Sequence, residues 1–337
     1  MQKTIAYVSN ADSREIVVLR LAEDGTLSEI ERVKTSGTVM PLAVSPDRRF
    51  LFAALRSEPF GAASYRIDRQ TGRLSHIATA PLPGSMPYIA TDQTGRYLLS
   101  ASYQSAIVAV SAIDAEGRAS AAALQVLNTG PNAHCIVTDP ANRFAFVPCL
   151  GGDHVMQLRF DAKTGRLSPN APAAVSTRKG AGPRHIVLHP DGRLAFLINE
   201  LDATVMSFAF DPAAGTLAPL STASALPAGF SGKPWAADIH VTPDGRFVYA
   251  SERTSSTLAG FAVDDATGAL RPIGHWPTET QPRGFAIDPR GRYLLSVGQL
   301  SNSLTAYAID SDSGTLTPLK RYPMGANPNW VEIVELT

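Results

Sequence analysis

Eight charged or histidine side chains between residues 134 and 283 could act together on a ligand. They fall in four separate segments, which contribute His134, then Arg184, His185 and Glu200, then Asp238, His240 and Arg253, and finally Arg283. Burying a charge is costly unless it is paired. If the fold brings these segments together, their side chains should therefore have a binding or catalytic role in addition to packing. Cations gathered around two carboxylates would suit an anionic ligand.

A repeated unit places these segments at equivalent points of the chain. A glycine followed two positions later by leucine or alanine recurs about every 45 to 53 residues, at Gly25, Gly72, Gly117, Gly165, Gly215, Gly268 and Gly314. Most follow acidic residues, as in DRQTGRLS and DSDSGTLT, which is the composition of a tight turn between strands. We expect these turns to be the outer hairpins of the repeat.

A second marker with the same period is a polar turn between two apolar strands. It appears as SPDRRFLF, TDQTGRYLL, TDPANRFAF, LHPDGRLAF, VTPDGRFVY and IDPRGRYLL. Units of about 40–50 residues with four short strands are typical of propeller blades, and no segment sustains the 3.6-residue period of a helix. The sequence therefore predicts an all-β, seven-bladed β-propeller.

The two ends of the chain together hold the strands of one blade. Residues 4–10, 16–21 and 27–33 read as three strands that lack an inner partner, and residues 330–336 read as one strand without a hairpin. Pairing the N- and C-terminal strands would close the ring and leave no exposed strand edge at the seam. We therefore expect residues 1–337 to form a single domain.

Counting from the polar turns gives a register for the candidate residues. His134, Arg184 and Arg283 fall at the start of inner strands, with His185 and Asp238 one position later. The next strand ends at the equivalent positions Arg56, Tyr103, Glu200, Arg253 and Gln299. Because a hairpin brings the end of its second strand back beside the start of its first, both sets should surround one mouth of the central channel.

Composition and motifs exclude several classes of function. Lys plus Arg and Asp plus Glu both number 30, so no net charge favours nucleic acid or an anionic membrane. No stretch approaches the roughly 18 apolar residues of a membrane span, and we expect a cytoplasmic protein with reduced Cys135 and Cys149. Metal-ligand spacings, a GxSxG elbow and Gly-rich phosphate loops are missing from the sequence, which predicts no metal or other cofactor.

Three longer motifs are more specific than the turns. They are AGPRHIVLHPDGRLAFLINEL (181–201), PWAADIHVTPDGRFVYASERT (234–254) and PTETQPRGFAIDPRGRYLLSVGQ (277–299). Through them and along its whole length the chain resembles the bacterial propeller-type 6-phosphogluconolactonases, the cycloisomerase 2 or seven-bladed propeller lactonase family. The resemblance implies metal-independent hydrolysis of 6-phosphoglucono-1,5-lactone to 6-phosphogluconate, in the pentose phosphate route.

The chemistry of ester hydrolysis assigns expected roles. Glu200 is the candidate general base and His134 its alternative, while Arg184 and Arg253 suit the developing oxyanion. The residues expected to bind substrate are His185, Asp238, His240, Arg283, Gln299, Arg56 and Tyr103. We expect no partner beyond the small-molecule lactone, and a monomer or weak homodimer.

Three alternatives remain open. Segments 54–65 and 131–139 match the family pattern loosely, so the substrate could be another aldonolactone. The fold family also includes fungal carboxy-muconate lactonising enzymes. Their pocket histidine, two arginines and glutamate resemble His134, Arg184, Arg253 and Glu200 of this chain. A non-catalytic scaffold that uses the mouth only for binding is the third. Glu200 and Arg184 could also form a structural ion pair. Trp235 and Trp330 could line the pocket, but we expect both to be packing residues.

Overall fold

The computed structural model describes residues 2–337 and contains seven four-stranded antiparallel sheets, which confirms the predicted seven-bladed propeller. The first blade combines both ends of the chain: β1 (Lys3–Asn10), β2 (Glu15–Leu21), β3 (Leu27–Lys34) and β28 (Pro328–Leu336). Every other blade takes four consecutive strands. Within residues 2–337 no helix is long and apolar enough to cross a membrane.

The remaining strands follow in chain order. Blade 2 holds β4 (Val39–Val44), β5 (Phe50–Leu55), β6 (Gly61–Ile67) and β7 (Leu74–Pro81). Blade 3 holds β8 (Tyr88–Thr91), β9 (Tyr97–Ser102), β10 (Ile107–Ala112) and β11 (Gln125–Asn128). Blade 4 holds β12 (Val137–Thr138), β13 (Phe144–Cys149), β14 (His154–Asp161) and β15 (Arg166–Ser176), with a short 3₁₀ turn at Leu150–Gly152.

Blades 5 to 7 carry most of the candidate site. Blade 5 holds β16 (Pro183–Leu188), β17 (Leu194–Asn199), β18 (Thr204–Asp211) and β19 (Thr216–Ser224). Blade 6 holds β20 (Ala236–Val241), β21 (Phe247–Glu252), β22 (Thr257–Val263) and β23 (Leu270–Pro277). Blade 7 holds β24 (Pro282–Ile287), β25 (Tyr293–Gly298), β26 (Ser303–Ile309) and β27 (Leu316–Pro323).

The ring is closed by pairing between the first and last strands. Strand β28 runs antiparallel to β1, with Leu336 opposite Lys3 and Val331 opposite Val8. This pairing confirms the predicted closure, and it gives β1 a partner on both sides because β2 pairs along its other edge.

Apolar side chains between neighbouring blades form the core. The inner-strand residues in this layer are all buried, namely Leu42, Ile89, Ile136, Ile186, Ile239 and Phe285. The predicted hairpin glycines lie between the third and fourth strands and have positive φ angles. At Gly117, φ is +84° and a Cβ would lie 2.3 Å from Phe50 of the preceding blade, so the turn requires glycine for two reasons.

Several inner strands begin with a β-bulge. In blade 5 the pairing register shifts between Pro183 and His185, and in blade 7 it shifts between Pro282 and Gly284. Arg184 and Arg283 are therefore the extra, unpaired residues of their strands. A bulge redirects the side chain of the extra residue, and here it does so at the candidate site.

Candidate active site

A cavity of about 210 Å³ lies at one mouth of the channel, and we call it the pocket. Its walls are formed by Arg56, Pro87, Tyr103, His134, Glu200, Trp235, Arg253 and Arg283. These residues come from six blades, 2 to 7, and lie at strand starts or directly after second strands, as the register predicts. Six of the eleven candidate site residues therefore meet in one small volume.

Glu200 is held by two arginines. Its Oε2 lies 2.8 Å from Nε of Arg184 and 2.8 Å from Nη2 of Arg253. Its Oε1 accepts one long hydrogen bond, 3.3 Å, from Nε1 of Trp235. Burial acts to raise the pKa of Glu200, but Arg184 and Arg253 outweigh it and lower the pKa. The carboxylate is therefore charged, with Oε1 the less occupied oxygen.

Trp235 and the backbone fix Arg253. The guanidinium carbon lies 3.9 Å from the centre of the indole ring, a close cation–π stack. Nε donates to the carbonyl of Trp235 and Nη2 to that of Ala236, both at 3.0 Å. Trp235 is 40% exposed and lines the pocket, so the expectation that it is a packing residue is wrong.

Arg184 lies behind the pocket wall instead of in it. Its side chain is 1% exposed, and it does not contact the cavity. Besides Glu200, Nη1 contacts the carbonyl of Ala237 and lies 3.1 Å from Nε2 of His185. The predicted direct contact with an oxyanion is not available to a side chain in this position, because a second layer of protein covers it.

His134 faces the pocket without a hydrogen-bond partner for its Nδ1 among the described residues. Its ring packs edge-on against Tyr103 at 6.0 Å and lies 5.1 Å from the ring of His185. Burial, followed by the charge of Arg184, holds the pKa of His134 well below its ordinary value. The imidazole is therefore neutral.

Three predicted binding residues form a chain of hydrogen bonds beneath the pocket. Oδ1 of Asp238 accepts from Nδ1 of His185 at 2.8 Å, and Oδ2 lies 3.2 Å from Nε2 of His240. Burial lowers the pKa of His185 to about 3, whereas Asp238 outweighs burial at His240 and raises its pKa. None of the three lines the pocket. His185 and Asp238 support it from behind, and His240 is reached by solvent in the channel.

Gln299 also lies outside the pocket. It bonds to Gln281 and Asn327, at 3.1 and 2.8 Å, in the connections of blade 7 and the closing blade. The position after the second strand is equivalent to that of Glu200, but the side chain is directed toward its neighbouring loops.

The sequence reasoning missed Glu332 on β28. Trp330 donates to its Oε1 at 2.9 Å, and the two side chains share the channel face of the strand. Burial raises the pKa of Glu332 to about 7. An acidic residue two positions after Trp330, and therefore on the same face of the strand, was the available signal.

No group of three or more His, Cys, Asp or Glu side chains within residues 2–337 has an arrangement able to hold a metal ion. The pocket instead offers arginines, one carboxylate and one imidazole. Such a set binds and polarises an oxyanion or an ester carbonyl.

Comparison with known proteins identifies the family. The family model for seven-bladed β-propeller lactonases matches residues 3–333. The chain belongs to this family. The membership confirms the resemblance drawn from the three motifs in blades 5 to 7.

Individual relatives agree with the family assignment. A 6-phosphogluconolactonase of Pectobacterium carotovorum is 43% identical over 284 residues, 84% of each chain. One from Serratia proteamaculans is 43% identical over 286 residues, 85% of each chain. Among solved structures, the periplasmic gluconolactonase of Pseudomonas aeruginosa superimposes with a TM-score of 0.92 at 32% identity, over the full length of both chains.

Proposed function

We propose that this member of the lactonase family hydrolyses 6-phosphoglucono-1,5-lactone to 6-phosphogluconate. The observation that carries the proposal is the pocket itself, in which an ionised carboxylate and a neutral imidazole stand among arginines. The curated relatives that bear the name 6-phosphogluconolactonase support this substrate. The small cavity, below the roughly 300 Å³ of common ligand sites, suits a single sugar ring.

The reaction needs one proton acceptor and one group that stabilises negative charge. Water adds to the lactone carbonyl carbon and gives up a proton, the bond from that carbon to the ring oxygen breaks, and the ring oxygen receives a proton. We assign the acceptor to Oε1 of Glu200, since Oε2 is occupied by two arginines. His134 faces the same cavity, takes over the proton that Glu200 has removed from water and gives it to the leaving ring oxygen.

Arg253 is the residue that we assign to the oxyanion. Its Nη1 has no acceptor among residues 2–337, while its other nitrogens are held by backbone carbonyls and Glu200. A preorganised donor of this kind stabilises charge that develops during reaction. Arg184 acts as a positioning residue, because it holds Glu200 from behind and is shielded from substrate.

A lactonase acting on unphosphorylated gluconolactone is the second candidate. The specific observation in its favour is the full-length similarity to a periplasmic gluconolactonase.

We place this protein in the cytoplasm as part of the main proposal. Its two free, buried cysteines are compatible with a reducing compartment. Cell fractionation of the native host would test that placement.

Rates of acid release from a panel of lactones would test both candidates. The panel contains 6-phosphoglucono-1,5-lactone, glucono-1,5-lactone and one galactonolactone, each corrected for spontaneous hydrolysis. The main proposal expects the highest kcat/KM with the phosphorylated lactone. A higher value for gluconolactone would favour the second candidate, and no acceleration of any lactone would reject both.

A further inference from the structure

The pocket holds more positive charge than the protein itself balances. Four guanidinium groups, of Arg56, Arg184, Arg253 and Arg283, lie in or directly behind its wall. Within residues 2–337, Glu200 is the carboxylate that forms ion pairs with two of them, Arg184 and Arg253. Arg56 and Arg283 form no ion pair in this part of the chain.

Arg283 is the clearest example of an arginine whose charge the protein does not balance. It is the extra residue of the bulge at the start of β24, and in the described chain its guanidinium makes no hydrogen bond to protein. Burial, with repulsion from Arg184 and Arg253, holds its pKa well below the ordinary value. A partly buried arginine that packs against other cations destabilises the fold and is explained by a ligand that supplies the missing charge.

Arg56 stands beside it with weak partners. Its Nε donates to the hydroxyl of Ser85 at 2.9 Å, and Nη1 lies 3.2 Å from the sulfur of Met40. Neither partner carries charge. These contacts orient the guanidinium in the pocket wall but leave its positive charge unbalanced.

We propose that Arg283 and Arg56 form a subsite for a phosphoryl group, separate from the reacting centre at Glu200 and Arg253. Guanidinium groups bind phosphate oxygens through paired hydrogen bonds, and two of them balance a dianion. The proposal rests on the proposed function in one respect: the phosphoryl group is that of the sugar lactone. It makes these two arginines the residues that select phosphorylated from unphosphorylated substrate.

Binding of small anions to the full-length protein tests the subsite without relying on turnover. Calorimetry would compare inorganic phosphate, 6-phosphogluconate and gluconate, because gluconate carries only the carboxylate. We expect 6-phosphogluconate and phosphate to bind, and Arg283→Gln to weaken both by about 10- to 100-fold, the usual range for losing charge-assisted hydrogen bonds. Arg56→Gln should weaken them in the same direction. Phosphate affinity unchanged in both variants would overturn the proposal.

The matched control is Arg178→Gln. Arg178 lies in the connection just before β16, its side chain is 71% exposed, and it pairs with Asp202 away from the pocket. Arg178→Gln removes one positive charge, as Arg283→Gln does, but it does not alter the pocket. Phosphate affinity and turnover should therefore stay at wild-type values. An equal loss of phosphate binding in this control would show a diffuse charge effect and would also overturn the subsite.

Thermal stability provides a second readout that a structural role would not produce. Since Arg283 is unpaired and repelled by its neighbours, Arg283→Gln should raise the melting temperature in phosphate-free buffer by about 1 to 3 °C. In the same Arg283→Gln variant, the ratio of kcat/KM for phosphorylated over unphosphorylated lactone should fall. A protein that binds phosphate through Arg283 but hydrolyses no lactone would reject the proposed function and support the subsite.

Discussion

Replacing Glu200 with glutamine tests whether one carboxylate both holds the pocket together and accepts the proton. Glutamine preserves the size of the side chain and one carbonyl oxygen, but it removes the charge that faces Arg184 and Arg253. Because Arg184 is 1% exposed, the substitution leaves a buried guanidinium without a counter-charge. Breaking a buried pair in this way costs about 3 to 5 kcal/mol, and the retained oxygen places Glu200→Gln near 3 kcal/mol.

This cost converts to a small change in melting temperature. With 337 residues and an unfolding entropy of about 2.1 cal/mol/K per residue, 3 kcal/mol corresponds to about 4 °C. The variant therefore remains folded at 25 °C, where its kinetics can be measured. Turnover of the best lactone should fall about 100-fold or more, because a general base is lost, while the affinity for 6-phosphogluconate changes much less.

Asp202→Asn is the matched control for Glu200→Gln. Asp202 also pairs with an arginine, Arg178, at 2.7 Å on the same side of blade 5, but that arginine is exposed. An exposed pair contributes about 1 kcal/mol or less, and turnover should not change. Normal turnover in Glu200→Gln would refute Glu200 as the base and leave His134 to be tested. An unchanged melting temperature would refute the stabilising role of the buried pair.

Three further predictions concern the ring, the metal and the channel. Deleting residues 1–10 removes β1, exposes edges of β2 and β28, and should lower the melting temperature of the whole protein in one transition, as a single domain requires; melting like wild type would contradict this. Exhaustive chelation should leave lactonase turnover unchanged, and activity restored only by a divalent ion would contradict it. The raised pKa of Glu332, about 7, stabilises the folded protein at low pH, an effect that is lost as pH rises through 7. Glu332→Gln should therefore stabilise the protein by about 3 kcal/mol at pH 8 and by little at pH 4, and equal effects at both pH values would refute the assignment.

The fold could be predicted because its determinants are local and repeated. Each outer hairpin carries its own turn residues, and each inner strand carries an apolar residue at the same distance from a polar turn. A repeat of this kind fixes the register in every blade once it is fixed in one. The same counting placed Glu200 and Arg253 directly after their strands, where the structure has them.

The position of individual side chains could not be predicted in the same way. The bulges at the starts of β16 and β24 add one unpaired residue each, and periodic counting has no signal for them. Arg184 and Arg283 occupy equivalent bulges, yet Arg184 is covered by protein while Arg283 faces the cavity. The difference depends on neighbours, because Glu200 and the carbonyl of Ala237 hold Arg184, and nothing comparable holds Arg283 among residues 2–337.

The geometry of the pocket depends on the ring more than on any one blade. Six blades supply its walls, and the closing blade supplies none of them, but it supports Arg283 directly. At Gly284, the residue after Arg283, an added Cβ would lie 2.5 Å from the carbonyl oxygen of Asn329, so the backbones of β24 and β28 are in close contact. Pairing with β1 holds β28 in place. A change that loosens the closing blade should therefore weaken phosphate binding at Arg283 more than it displaces the carboxylate of Glu200. Glu200 lies in blade 5 and is held by Arg184 and Arg253.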